Sequence, residues 1–188
     1  EVDTWARYLP ERNAVQFTVA AHDQLTPGIF HKLTGVLSSL GLQILAADIY
    51  TLGDGLVLDR FYVHDPDYSG EPPLSRLREI RRQLVLVLTS EDSAPQFRRM
   101  WEGREKMTIA AANPDAVPTR VNFDNSTAER FTIIDVFTQD RIGVLYTITR
   151  TLFELGLSVA VARIWTYVDQ VVDVFYVTNA AGKKIEDE

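Results

Sequence analysis

The chain has no cysteine among its 188 residues, which excludes disulfides, thiolate metal sites and cysteine nucleophiles together and suits a reducing compartment such as the cytoplasm. Histidine is scarce, with three copies. No apolar run approaches the roughly 20 residues that a membrane-spanning helix needs. The opening "EVDTWARYLPERN" lacks the basic, apolar, small-residue succession of a signal peptide, so no membrane partner is expected. Positive charge is in deficit, 19 Lys and Arg against 26 Asp and Glu for a net charge of -7. Affinity for a phosphate backbone comes mainly from clustered Lys and Arg, so nucleic acid is not an expected partner either. The one basic cluster, Arg76, Arg78, Arg81 and Arg82, reads as the solvated face of an amphipathic helix whose apolar stripe is Leu77, Ile80, Leu84 and Val87. No nucleophile–base pair or carboxylate dyad has a spacing that suggests catalysis.

What the chain does have is a sizeable apolar fraction, 46%, and an internal repeat. Laying Gly28 on Gly143 brings Leu37 onto Leu152, the "LGL" at Leu40–Leu42 onto that at Leu155–Leu157, and Ala47, Ile49 and Thr51 onto Ala162, Ile164 and Thr166. After one deletion, Asp59-Arg60-Phe61-Tyr62-Val63 falls on Asp173-Val174-Phe175-Tyr176-Val177. Val15 to Ala21 and Arg130 to Phe137 are β-rich. The segments after them place Phe30, Leu33, Leu37, Leu40 and Leu145, Ile148, Leu152, Leu155 on one helical face. Gly41 and Gly156 end those helices. Two strands come next in each copy: Ile44 to Leu52 and Leu56 to Val63 about "GDG", then Val159 to Tyr167 and Val171 to Thr178 about Val168-Asp169-Gln170.

Strand, helix, strand, strand is thus written twice, and Pro72-Pro73 announces a further helix over Leu74 to Leu88. The expected class is α+β: two ferredoxin-like βαββαβ domains in tandem, helices covering one face of an antiparallel sheet. The expected organisation is a lead-in over 1–14, a first domain over 15–88, a linker over 89–118 and a second domain over 119–188. A last strand for the first domain is expected from 120–124, reaching back over the linker. The second copy stops at "GKKIEDE" without room for another helix and strand, and is expected to be truncated or completed from outside the chain.

A strand running into "QDRIGVLYTI", a helix ending in "LGL" and then "ARIWTYVDQVVDVFYVTNAAGKKI" resembles the ACT domain, a ferredoxin-like module that commonly binds amino acids. Thr119 to Ile185, with "VNFDN" before the strand and "VVDVFYV" after the hairpin, is similar to the last ACT domain of the [protein-PII] uridylyltransferase/uridylyl-removing enzymes. The first repeat, with "LDRFYV", is similar to their penultimate one. The resemblance implies a regulatory region that senses glutamine and controls nitrogen signalling through the enzyme's catalytic domains, with the PII protein an indirect partner. It implies no cofactor here; magnesium would belong to the catalytic domains, whose Gly-Ser turn with paired Asp this chain lacks.

A helix start leaves backbone N–H groups without partners and carries the positive end of the helix dipole, so a glycine that lets another backbone approach makes a carboxylate site. The expected ligand loops are Asp140, Arg141, Ile142, Gly143, Val144 and Leu145, and, in the first repeat, Thr26, Pro27, Gly28 and Ile29. Asp140 would meet the ligand's ammonium or cap the helix, while Val144 and Leu145 close the site from the core. The first repeat has Leu25 in place of Asp140, so the two loops need not bind equally. The alternative is a ligand-free interaction module whose edge strands pair with another ACT domain, within the chain or in a homodimer. His22-Asp23 and His64-Asp65 fall at opposite ends of the expected sheet, which separates them as metal ligands; His31 is expected to be exposed. Tyr62, Tyr176, Phe61, Phe175 and Trp165 read as half core and half interface, and Met100 and Trp101 as packing or docking residues of the linker.

Overall fold

The computed structural model describes residues 1–52, 54–90, 118–141, 143–167 and 170–185. Met100, Trp101 and Ile142 lie outside that set. The elements are β1 (Asp3–Leu9), β2 (Ala14–His22), α1 (Ile29–Ser39), β3 (Gln43–Thr51), β4 (Leu56–His64), α2 (Leu74–Thr89), β5 (Arg120–Asp124), β6 (Thr132–Gln139), α3 (Val144–Glu154), β7 (Ser158–Tyr167) and β8 (Gln170–Thr178). The strands form one antiparallel sheet in the order β1-β2-β4-β3-β7-β8-β6-β5. The fold is α+β and ferredoxin-like, as the repeat implied.

Alternation decides the faces. In β4, Val57, Phe61 and Val63 turn inward with Phe17 and Val19 of β2 and meet Leu33 and Leu37 of α1 and Ile80 and Leu84 of α2. Phe17, Phe61 and Phe175 are fully enclosed, each worth about 1.5–3 kcal/mol over an exposed side chain. The predicted stripe of α2 is buried. Arg76, expected on the solvated face, is buried too: its Nε donates to Asp65 at 2.9 Å and an Nη to the Leu40 carbonyl at 2.8 Å. No described helix is long and apolar enough to cross a membrane.

The closing strand of each repeat departs from expectation. β5 pairs with β6, from Arg120 opposite Phe137 to Asp124 opposite Ile133, and so belongs to the second repeat. The first repeat is closed by β1, in the expected lead-in, which pairs with β2 from Asp3–Ala20 to Leu9–Ala14. In both copies the outer strand enters from the N-terminal side. The reason is loop closure: a turn over 10–13, with Pro10–Arg12 in a 3-10 helix, joins β1 to β2, and 125–131 joins β5 to β6. Neighbours in sequence pair at lower entropic cost than a strand returning over a long linker. The second repeat thus contributes β5, β6, β7 and β8 to the sheet.

The repeats meet edge to edge through β3 and β7: Ala47 faces Ile164, Asp48 faces Arg163 and Ile49 faces Ala162. Since Ala47, Asp48 and Ile49 correspond to Ala162, Arg163 and Ile164, the pairing is self-complementary about Asp48–Arg163, as in a twofold dimer. The same axis passes between α1 and α3, where the corresponding hydroxyls of Thr34 and Thr149 lie 3.0 Å apart and buried.

Candidate functional site

Each helix that succeeds a first inner strand starts at a glycine with left-handed backbone, Gly28 at φ 70° and Gly143 at φ 80°. Neither start has a side-chain cap; the first N–H groups of α1 keep their capacity for a ligand, whereas at α3 the Val144 N–H donates to the Arg141 carbonyl at 3.0 Å. Asp140, expected to cap or to meet an ammonium, instead accepts a hydrogen bond from Gln43 Nε2 of the other repeat at 3.2 Å. Gly28 also sits under the other repeat. A Cβ there would come within 2.3 Å of the His31 ring and 2.8 Å of the Phe153 ring. His31, expected to be exposed, is half-buried and stacks on Phe153 of α3 with ring centroids 4.4 Å apart. Burial first, then the charges of Lys32 and Arg150, hold its pKa below the usual value.

Two cavities lie at the junction, related by the same pseudo-symmetry. The first, about 600 Å3, is enclosed by Thr26, Pro27, Gly28, Ile29 and His31 of the first repeat and by Phe153, Leu157, Ser158 and Val159 of the second. The second, about 40 Å3, lies between Asp140, Arg141, Gly143, Val144 and Leu145 and the first repeat's Ser38, Gln43 and Ile44. The structure therefore gathers each predicted loop against the opposite repeat, apart from Ile142, which is not described. The inequality has a local cause. Gln43 corresponds to Ser158 and Asp140 to Leu25; the long amide, tied to the acid, fills the second mouth, whereas a serine leaves the first one open.

Motif and spacing did not single out the residues on the floors of these cavities. Asp59 lines the first and Asp173 the second; both are fully buried in the inward row of β4 and β8. Neither carboxylate has a hydrogen-bond partner. The Tyr50 amide beside Asp59 and the Trp165 amide beside Asp173 ease the cost without completing a bond. Burial pushes Asp59 well above the ordinary carboxylate range, and Asp173 to about 8, with the Asp140 charge adding to the rise. Burial of this kind favours the protonated carboxyl over its charged form. The signal was present: Val57-x-Asp59-x-Phe61-x-Val63 and Val171-x-Asp173-x-Phe175-x-Val177 put an acid into an otherwise apolar alternation twice.

The other candidates have local roles. His22 contacts Asp23 at 3.0 Å, and His64 approaches the Asn13 carbonyl at the other end of the sheet. Among the described residues, no three His, Asp or Glu side chains are grouped to hold a metal. Phe61 and Phe175 are core, while Trp165 is 52% exposed on the open face of the sheet.

Comparison with known proteins agrees with this architecture. Residues 120–188 match the family described as ACR9-like, ACT-like domain. Over 183 residues and 95% of its length, the chain is 35% identical to the bifunctional uridylyltransferase/uridylyl-removing enzyme of Gluconobacter oxydans, of which it covers 18%. The corresponding enzymes of Ruegeria pomeroyi, 36% identical over 95% of the chain, and Novosphingobium aromaticivorans, 35% over 97%, are each covered to 19%. The chain thus spans under a fifth of the length of these relatives. Residues 120–188 are thus similar to an ACT-like domain, and the chain as a whole resembles the C-terminal regulatory part, rather than the catalytic part, of the bifunctional uridylyltransferase/uridylyl-removing enzymes.

Proposed function

We propose that this chain is the amino-acid-sensing region of a PII-modifying uridylyltransferase of the cytoplasm, that its ligand is glutamine, and that occupancy controls the catalytic domains in nitrogen signalling. The observation that carries the reading is the cavity of about 600 Å3 between the Gly28 loop and the second repeat, large enough for a small amino acid and open to an uncapped helix start. The Gly143 loop is its counterpart, occluded by Gln43 and Asp140. A ligand in the open cavity touches both repeats at once, so it favours whichever arrangement of the pair closes on it. That difference in affinity between arrangements is the coupling free energy passed on to attached domains.

Isothermal titration with glutamine, against glutamate, asparagine and leucine, tests the reading. The expected result is saturable heat selective for glutamine at one site per chain. Absence of heat with all four would instead favour the ligand-free interaction module, whose supporting observation is the self-complementary pairing of β3 with β7.

A further inference from the structure

Two features of the larger cavity are complementary to a zwitterion. At its mouth, the start of α1 offers backbone N–H groups without a side-chain cap, which suit a carboxylate. At its floor lies Asp59, fully buried, lining the cavity and lacking a partner for either oxygen. A buried carboxylate without a partner is destabilising wherever it occurs, and the fold repeats the arrangement at Asp173. Packing alone gives no reason for an acid in a row that otherwise holds Val57, Phe61 and Val63.

We infer that Asp59 is the ammonium acceptor for a zwitterionic amino acid whose carboxylate lies at the start of α1. The inference rests on the amino-acid-binding reading above and departs from the expectation that Asp140 plays this part. Asp140 belongs to the occluded cavity and is already bonded to Gln43. The groups facing Asp59 impose the charge balance. The adjoining strands present Val19 and Ile49, and the cavity wall adds Asp23 and His31; Lys32 of α1 is turned to the Thr26 hydroxyl. The entering ammonium therefore meets no competing cation bound to Asp59. Because burial favours the protonated carboxyl over the charged form in the empty site, formation of the ion pair releases a proton to solvent.

The test is titration of the 188-residue chain and its Asp59→Asn variant with glutamine and with glutaramic acid, which is glutamine without its α-amino group, in buffers of different ionisation enthalpy. The wild-type chain is expected to prefer glutamine and to release on the order of one proton per glutamine. In Asp59→Asn, glutamine affinity should fall by about 10- to 100-fold, the range a charge-assisted hydrogen bond is worth. Proton release should vanish, and glutaramic acid should bind no worse than before. The melting temperature of the variant at pH 7 should not fall, since an amide replaces a neutral carboxyl of equal size. If the variant does not fold, the wild-type preference for glutamine and its proton release still decide the matter, and absence of either overturns the inference. Unchanged glutamine affinity in Asp59→Asn would overturn the Asp59 assignment and leave the amino-acid reading standing. No saturation with any amino acid in the wild-type chain would overturn both.

Discussion

An acid in an apolar row is tolerated because it gives up its charge, and this leaves a signature in stability. Asp173 rises from an ordinary value of 3.8 to about 8 on folding, and Asp59 shifts in the same direction. Between those limits the folded chain keeps a proton that the unfolded chain has lost, so stability falls as pH rises through that window and levels above about 8. His31, with its pKa lowered, acts oppositely: what it contributes is lost as pH falls below its ordinary value. Comparing the chain with its Asp59→Asn/Asp173→Asn double variant cancels the histidine. The expected outcome is a wild-type melting temperature that drops by several degrees from pH 5 to pH 8, given about 2–4 °C per kcal/mol at this size, against a flatter profile in the double variant. Equal slopes would show that the aspartates titrate normally. At these positions the sequence was half legible. Gly28 and Gly143 declared themselves through the amphipathic helices that begin directly after them, whereas Asp59 was seen only as a matched letter in the repeat, because nothing in sequence says that a cavity lies above it. His31 was misread for a related reason: Phe153, which covers it, belongs to the other repeat.

The inner strands and the helices were legible because each carries a period that burial enforces, two for β2, β4, β6 and β8 and 3.6 for α1, α2 and α3. The outer strand β1 was not. Of its seven residues only Thr4 is buried, so its alternation carries no apolar signal. β5 was recognised as a strand but given to the wrong repeat, since pattern names an element and not its partner. Between helices the contact that matters is equally hidden. Thr34 and Thr149 each reach the carbonyl three residues back, His31 and Tyr146, and also face one another. With one hydrogen apiece, one hydroxyl donates across the junction while the other donates to its own helix. Thr34→Val or Thr149→Val alone should cost roughly 1–3 kcal/mol by stranding a buried polar group, and the double Val variant should cost less than the sum. Urea unfolding of the three variants checks this; additive losses would mean the pair is not coupled.

Taken as one object, the chain is a dimer-like pair in a single polypeptide, and its axis passes through Asp48 and Arg163, directly opposed on β3 and β7. Like charges at directly opposed positions destabilise a sheet, opposite charges support it by roughly 0.2–1 kcal/mol. Asp48→Arg should therefore lower stability by about 1 kcal/mol and weaken glutamine binding, because the cavity exists only while the repeats are paired. Adding Arg163→Asp should restore both. Urea unfolding and titration of the swapped chain make the measurement; failure of the second change to rescue the first would show that this pair does not hold the junction. The repeat, the amphipathic elements and the glycines at the helix starts are relations among residues close along the chain, and the sequence carried them without help. Which edges pair, and therefore that one cavity is open at about 600 Å3 while its counterpart is shut at about 40 Å3, depends on surfaces that meet only after each repeat has formed. Ser158 and Gln43 are ordinary as letters, and they set the size of the two mouths only because β3 and β7 bring each one beneath the other repeat's loop.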